Sequence, residues 1–260
     1  MKDRILLFIP AYNCQKQIIR VLGQLDSDMM HYITEVIVVN NRSTDDTELV
    51  VKGFIDRHPN VPVKLLRNKE NYGLGGSHKV AFSYAKDRGF DYVIVLHGDD
   101  QGRLEDFLPV LKSRYYAKHD CVLGARFMRG SKLEGYSAFR TFGNFVYDFL
   151  FAAVVRKRIF DLGSGLNIYS VNMLKNEYYK KFPDNLMFNY CMILASEYYR
   201  QDIRFFPVSW REEDQVSNVK MVDQAVSVLK MLADYYRDPA VINNDYREKE
   251  IEIYEADIIA

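Results

Sequence analysis

Short apolar runs alternate with helical patterns along the first half of the chain. The runs are rich in β-branched residues and predict strands; they read RILLFIP, EVIVVN, VKLLRN, YVIVLHG and CVLGAR. Segments with apolar residues three and four positions apart lie between them and predict helices over 14–25, 44–57, 75–88 and 104–118. This alternation favours an α/β fold with a mostly parallel, Rossmann-like central sheet flanked by helices. EVIVVN and YVIVL are almost wholly apolar, so we expect both in the middle of the sheet.

Polar or glycine-rich residues follow the predicted strands. They occupy positions 11–13, 40–43, 68–76 and 97–101. In an open α/β sheet, ligands bind beyond the carboxyl ends of the strands. We therefore expect these four loops to form one site at one edge of the sheet.

The regular alternation stops after residue 125, and the charge becomes uneven. Residues 126–158 carry seven basic and two acidic side chains, whereas residues 238–260 carry seven acidic and two basic ones. Over the whole chain 35 basic residues balance 35 acidic ones, which argues against nucleic acid as a partner.

No segment rich in Gly, Ser or Pro divides the chain as a linker would, so we expect one domain over 1–237 and an acidic tail over 238–260. The tail is compatible with a late strand or with a contact in a homo-oligomer.

The sequence predicts a cytoplasmic protein. Its longest apolar run, Phe149 to Val155, is far shorter than the roughly 18 residues that cross a bilayer. The first ten residues end in Pro10 and lack the features of a secretory signal. Cys14, Cys121 and Cys191 are odd in number and far apart, which is typical of reduced thiols.

The segment YVIVLHGDDQ ends a predicted strand in two adjacent carboxylates, an imidazole and an amide. Such polarity at the end of a buried strand is costly unless a cation or hydrogen bonds compensate it. Carboxylate and amide oxygens with one imidazole suit Mg²⁺ or Mn²⁺. The alternative is a structural turn in which Asp100 caps the helix that follows.

Seven motifs in order resemble those of glycosyltransferase family 2, whose fold is called GT-A. They are IPAYNC, VVNNRSTDDT, NYGLGGSHKVA, LHGDDQ, LGARF, FDLGSGLNIYS and WREEDQVSNVK. Together they cover about residues 4 to 220. Within the family, the chain is similar to dolichyl-phosphate mannosyltransferase and related polyprenyl-phosphate glycosyltransferases.

The resemblance implies roles for particular residues. The nucleotide of a nucleotide-diphosphate sugar would contact Pro10, Ala11, Tyr12, Asn13, Asn40, Asn41, Asn71, Gly75 and Gly98. A metal ion would bind His97, Asp99 and Gln101, with His97 standing where the family usually has Asp. Groups that bind phosphates or the acceptor would be Arg126, Ser164, Ser217 and Lys220. The catalytic set would be Asp99, Arg140, Arg211 and Asp184.

The acceptor is the least determined part of the implied reaction. An inverting transfer to a hydroxyl needs a carboxylate base, for which Asp184 and Asp161 are candidates, whereas a phosphate acceptor is already anionic. The expected reaction is inverting transfer to a polyprenyl phosphate or a membrane-linked glycan, in the synthesis of cell-surface polysaccharides or glycoconjugates. The alternatives are a soluble transferase acting on a saccharide hydroxyl and a non-catalytic protein that binds nucleotide sugars.

One predicted helix combines an aromatic stripe with a basic end. Apolar residues at helical spacing precede three consecutive basic residues; they are Phe139, Phe142, Phe145, Val146 and Phe149, followed by Arg156, Lys157 and Arg158. An apolar face with basic flanks is typical of a helix that lies in an anionic membrane interface. Peripheral membrane association at the inner face is therefore one interpretation, and an ordinary core helix is the other.

Overall fold

The structure, a computed structural model, describes residues 2–212, 221–248, 251 and 253–260. Its strands are β1 (Ile5–Ala11), β2 (Glu35–Asn40), β3 (Val63–Asn68), β4 (Tyr92–Leu96), β5 (Cys121–Ala125), β6 (Leu133–Glu134), β7 (Leu166–Ser170), β8 (Ile203–Pro207), β9 (Trp210–Arg211) and β10 (Ala256–Ile258). Its α-helices are α1 (Gln15–Leu22), α2 (Ser27–Met30), α3 (Thr47–Arg57), α4 (Gly73–Asp87), α5 (Leu108–Lys112), α6 (Ala138–Val155), α7 (Met187–Tyr198) and α8 (Met221–Arg237).

Eight of these strands form one sheet in the order β10-β3-β2-β1-β4-β7-β5-β8. Strands β3, β2, β1 and β4 run parallel, whereas β7 is antiparallel to both β4 and β5. The prediction of an α/β fold with a large central sheet flanked by helices is confirmed. Strands β6 and β9 pair with each other in a separate two-stranded ribbon.

The central strands are buried on both faces. Along β1, Leu6 and Phe8 belong to one core cluster, and Ile5, Leu7 and Ile9 belong to the other. Side chains alternate between the faces of a strand, so an apolar run of this kind needs helices on both sides. The predicted central position of the strands EVIVVN and YVIVL is confirmed, because β2 and β4 flank β1.

The helix predicted over 104–118 is wrong as one element. The segment folds as a 3₁₀ turn, the short helix α5 and a second 3₁₀ turn. Pro109 lies in the first turn of α5, where its missing N–H costs nothing, and Arg114 takes a left-handed backbone with φ of 53°. A left-handed residue ends an α-helix, and side-chain spacing does not reveal it.

The acidic tail returns to the sheet. Strand β10 pairs antiparallel with β3, with Ala256 opposite Asn68, and Lys69 Nζ lies 2.5 Å from Asp257 Oδ1. The hydroxyl of Tyr254 accepts a hydrogen bond from Lys79 of α4. The tail therefore contains a late strand, one of the two forms that its sequence is compatible with.

No helix in the described part of the chain is long and apolar enough to cross a membrane.

Candidate active site

The loop 97–101 follows β4 at the carboxyl edge of the parallel strands and is tied to β1. The backbone N–H of Gly98 donates to the carbonyl of Pro10 over 3.1 Å. A Cβ at position 98 would lie 2.8 Å from that same oxygen, so only glycine allows the two loops to approach this closely. Two of the four predicted polar loops therefore meet at one edge of the sheet.

His97 is held as a neutral imidazole. Burial, with the nearby charge of Arg126 adding to it, lowers its pKa to about 4. Gly165, at a φ of 66°, packs against the ring, where a Cβ would lie 2.7 Å from Nδ1. Nε2 of His97 is buried and has no hydrogen-bond partner among the described residues. A neutral imidazole with an unused nitrogen is suited to bind a metal ion.

Asp99 supplies a carboxyl group two positions further on. Burial raises its pKa to about 6, and the neighbouring charge of Asp100 acts in the same direction. The backbone N–H of Gln101 donates to Asp99 Oδ1 over 3.2 Å. The carboxyl group is therefore mostly ionised at neutral pH, in surroundings that favour a cation beside it.

The residues of this loop suit a divalent ion whose coordination is completed by water and by the substrate. In the ranges that the structure covers, no group of three or more His, Cys, Asp or Glu side chains is placed to hold a metal. On the predicted assignment, His97, Asp99 and Gln101 would provide the protein ligands, and water and phosphate oxygens would provide the rest. Mg²⁺ and Mn²⁺ sites that act on phosphates are commonly built in this way.

Asp100 is fully buried between two arginines. Its Oδ2 accepts from Nε of Arg20 over 2.5 Å and also from Nη2 of Arg211. Nε of Arg211 donates to the carbonyl of Asp100 over 2.9 Å, and its backbone N–H donates to the carbonyl of Gln101 over 3.0 Å. The alternative that Asp100 caps the following helix is wrong, because this carboxylate instead joins the loop to α1 and β9.

Asparagine side chains form hydrogen bonds between the loops predicted to bind the nucleotide. Asn41 Oδ1 accepts from Nδ2 of Asn68 over 2.9 Å and from the backbone N–H of Tyr72 over 2.8 Å. Nδ2 of Asn41 donates to Asn71 Oδ1 over 2.8 Å. Asn40, also buried, donates from Nδ2 to Glu48 over 3.0 Å. The structure thus uses these amides to hold the loops after β2 and β3 together.

Other residues predicted at the nucleotide site divide into exposed and enclosed ones. Tyr12 is 45% exposed, and the exposed Asn13 accepts at Oδ1 from the backbone N–H of Thr44 over 2.8 Å. Ala11 is buried, and the N–H of Gly75 donates to the carbonyl of Asp184 over 2.7 Å. Of the residues predicted at the nucleotide site, Tyr12, Asn13 and Asn71 are therefore the exposed ones.

Arg126, at the end of β5, is paired with Asp161. Its Nε and Nη2 each donate to one Asp161 oxygen over 2.7 Å. The guanidinium also lies 5.1 Å from the ring centroid of Trp210 and 5.7 Å from that of Tyr136. It shifts the pKa values of both His97 and Asp99, so it belongs to the same site as the metal loop.

The other residues that were predicted to bind phosphates or the acceptor have different surroundings. Nη1 of Arg140 donates to both carboxylate oxygens of Glu212 over 2.7 Å. Ser164 is buried, and its Oγ contacts the backbone of Leu166. Ser217 and Lys220 lie outside the described residues. Arg140 and Arg211 therefore each hold a carboxylate, and a substrate phosphate would have to compete for or share them.

Asp184 forms a buried ion pair. Its Oδ1 accepts from Nζ of Lys79 over 2.7 Å, and that side chain is fully enclosed. Nζ of Lys79 also donates to the carbonyl of Phe182 over 2.6 Å and to the hydroxyl of Tyr254 over 3.0 Å. The carboxylate predicted as a catalytic base therefore serves to neutralise a buried ammonium.

A polar stripe on α6 was not predicted. Arg140, Asn144 and Asp148 are four residues apart and face the protein: Asn144 donates to the hydroxyl of Tyr136 over 2.9 Å, and Asp148 is buried. The signal available in the sequence is an acid inside an otherwise apolar helix, on the side opposite the phenylalanines. Trp210 was also missed, because a single tryptophan carries no periodic signal.

Curated relatives share sequence with most of this chain. A UDP-N-acetylglucosamine–dolichyl-phosphate N-acetylglucosaminyltransferase of Methanococcus voltae is 24% identical over 186 residues, which are 67% of this chain and 73% of the relative. An undecaprenyl-phosphate mannosyltransferase of Micrococcus luteus is 24% identical over 172 residues, 66% of this chain and 68% of the relative.

Solved structures share the fold. Glucosyl-3-phosphoglycerate synthase of Mycobacterium tuberculosis, in complex with Mn²⁺, UDP-glucose and phosphoglyceric acid, superposes with a TM-score of 0.64 at 17% identity, covering 90% of this chain and 80% of that one. The family model described as Glycosyl transferase family 2 matches residues 7–177. Since this match covers more than half of the chain and the sheet has the same fold as these structures, the chain belongs to glycosyltransferase family 2 and is a nucleotide-sugar-dependent glycosyltransferase.

Proposed function

We propose that this enzyme transfers a sugar, with inversion, from a nucleoside diphosphate to a polyprenyl phosphate at the cytoplasmic face of a membrane. The observation that carries the proposal is the loop after β4, in which the neutral His97 has a buried Nε2 without a partner among the described residues and Asp99, two positions on, has a pKa raised by burial. The exposed Tyr12 and Asn13 lie on the adjoining loop after β1. A nucleotide could therefore bind over β1 and β2 with its diphosphate near Asp99.

The protein's own groups would bind and orient the two substrates. A divalent ion held by His97, Asp99 and Gln101 supplies stabilisation of the negative charge that builds on a departing diphosphate. Arg211 is fixed beside the same loop by Asp100, which sets the guanidinium close to where that charge develops. Arg126 and Arg140 are the cations that an anionic acceptor would share with Asp161 and Glu212, their partners in this structure.

The two candidate bases, Asp161 and Asp184, each form an ion pair, which supports a phosphate acceptor. Both oxygens of Asp161 accept from Arg126, and Asp184 neutralises the buried Lys79. A hydroxyl acceptor needs a carboxylate that is open to take its proton, whereas a phosphate does not. The names of the two curated relatives, which act on dolichyl phosphate and undecaprenyl phosphate, agree with this choice.

A second acceptor class has its own support. The solved structure with phosphoglyceric acid shows that the same fold can bind a small phosphorylated molecule. Transfer to a hydroxyl of such a molecule, or of a saccharide, is therefore the competing reaction. Family membership favours either reaction over a non-catalytic protein that binds nucleotide sugars.

The test is a transfer assay with Mn²⁺ or Mg²⁺ and a panel of UDP-, GDP- and dTDP-sugars. Each donor is offered with farnesyl phosphate in detergent, with phosphoglyceric acid, or with water alone. We expect sugar transfer to farnesyl phosphate with one nucleotide, loss of transfer with a chelator, and little transfer to phosphoglyceric acid. Preferential transfer to phosphoglyceric acid would replace the lipid acceptor with a hydroxyl one.

Helix α6 supports a location at the membrane surface. Phe142, Phe145, Val146 and Phe149 are 68%, 51%, 41% and 71% exposed, whereas the polar stripe of the helix faces the protein. The side chain of Phe139 lies outside the described part. Beyond the helix, Lys157 pairs with Glu197 over 2.6 Å and Arg158 stacks on Phe160. The exposed apolar face with basic residues at its end suits an anionic bilayer interface.

We predict that Phe142→Ser/Phe149→Ser weakens binding to vesicles containing phosphatidylglycerol by at least tenfold. Burying one phenylalanine contributes about 1.5–3 kcal/mol, and about 1.4 kcal/mol is tenfold in binding. Cosedimentation measures the effect. Leu49→Ser is the matched control, because Leu49 is also 68% exposed but lies on α3. Equal sedimentation of the wild type with and without vesicles would contradict the membrane location.

A further inference from the structure

Asp148 is a buried carboxyl group without a structural task. It is 6% exposed on the inward face of α6, and its Oδ2 has no hydrogen-bond partner within the part of the chain described here. A buried polar atom left unpaired lowers stability, because it has given up its hydrogen bonds to water. Such a group is retained more readily when it binds something that completes its hydrogen bonds.

The charges around Asp148 keep a proton on it. Burial raises its pKa to about 8; Asp161 raises it further, while Arg126 opposes both. Arg126 already donates two hydrogen bonds to Asp161. Its positive charge therefore compensates the carboxylate of Asp161, and Asp148 keeps its proton. At neutral pH, Asp148 is therefore mainly a carboxylic acid, which donates a hydrogen bond instead of only accepting one.

The polar stripe places this acid on the same face of α6 as Arg140 and Asn144. Arg140, Asn144 and Asp148 occupy successive turns of α6, and Tyr136 connects the stripe to Arg126 by accepting from Asn144 over 2.9 Å and from Arg126 over 3.4 Å. On its opposite side the same helix exposes Phe142, Phe145 and Phe149. One helix therefore presents an apolar face outward and a set of anion-binding groups inward.

We propose that the protonated carboxyl group of Asp148 binds the acceptor's phosphate monoester, donating a hydrogen bond to a phosphate oxygen held by Arg126. This rests on the proposed function, since it assumes a phosphate acceptor. An ionised carboxylate at this position would repel the phosphate. The neutral acid would add a donor near Arg126, whose charge acts on it, and α6 would hold the phosphate on one side and contact the membrane on the other.

The test compares Asp148→Asn, Asp148→Ala and Asp148→Leu, using farnesyl phosphate as the acceptor. Asparagine keeps a donor of the same size, so we expect its acceptor KM within about threefold of the wild type. Alanine and leucine remove the donor and should raise the acceptor KM about tenfold with the donor KM unchanged. Asp87→Asn, at an exposed acid of α4, is the control.

Two further measurements separate binding from a purely structural role. Between pH 7 and pH 9 the wild type loses the proton of Asp148, so its acceptor KM should rise about tenfold while that of Asp148→Asn stays flat. Over this range Arg126, whose pKa is raised by Asp161, stays charged, and His97, whose pKa burial lowers to about 4, stays neutral. Asp148→Leu should unfold at a temperature equal to or above that of the wild type, since it removes a buried polar group.

Each contrary result has a distinct meaning. If Asp148→Asn loses a hundredfold or more in kcat, Asp148 is a base for a hydroxyl and the proposal is wrong. If Asp148→Ala keeps the wild-type acceptor KM, Asp148 does not bind the acceptor, even though the proposed function stands. If the wild type neither binds farnesyl phosphate in a direct titration nor transfers sugar to it, the proposed function itself fails.

Discussion

Asp99→Ala should lower sugar transfer by a factor of about 10² to 10³ or more and abolish Mn²⁺-dependent binding of the donor. Removing one group that stabilises developing charge costs about 2.7–4 kcal/mol in well-studied sites. The adjacent Asp100 cannot take over, because Arg20 and Arg211 already hold its buried carboxylate. Initial rates and calorimetric titration of the nucleotide diphosphate with Mn²⁺ measure both effects.

Two variants of the same site sharpen this expectation. His97→Asp restores the acid that the family usually has, so we expect it to retain activity and to shift preference from Mn²⁺ toward Mg²⁺. Asp56→Ala, at an exposed acid on α3, should behave as the wild type. Full activity of Asp99→Ala, or activity that survives a chelator, would rule out the metal assignment.

Asp184→Ala should destabilise the fold by about 3–5 kcal/mol. It leaves the enclosed ammonium of Lys79 without its counter-charge, and breaking a buried pair from one side costs about this much. Burial already lowers the pKa of Lys79, an effect that Asp184 opposes, so the variant would also favour loss of the lysine's proton. Denaturant unfolding followed by circular dichroism measures the loss.

A double variant provides the matched control. Lys79→Met/Asp184→Leu removes both charges and should recover most of the lost stability, because an apolar pair of similar volume often replaces a buried ion pair without loss. Asp184→Asn, assayed at a temperature where it remains folded, should keep most of its transfer activity. Near-complete loss of activity in that folded variant would identify Asp184 as the catalytic base.

Local pattern was sufficient for the strands and for the position of the site. Strands β1, β2 and β4 are continuous apolar runs, and polarity begins where each of them ends. Both signals lie within a few neighbouring residues. The helix over 104–118 failed for the same reason, because the left-handed Arg114 leaves no mark on the spacing of apolar side chains.

The amino-acid sequence by itself determined the α/β fold and the family, and it predicted the loop 97–101 as the centre of the chemistry. Tertiary structure alone decided which charge meets which. Arg20 and Asp100 are 80 residues apart, Asp100 and Arg211 are 111 apart, and Lys79 and Asp184 are 105 apart. Such pairs depend on how the elements pack, so the spacing of residues along the chain does not encode them. The same packing turns Asp148 and Phe151 of α6 inward and Phe142, Phe145 and Phe149 outward, which the helical period alone leaves open.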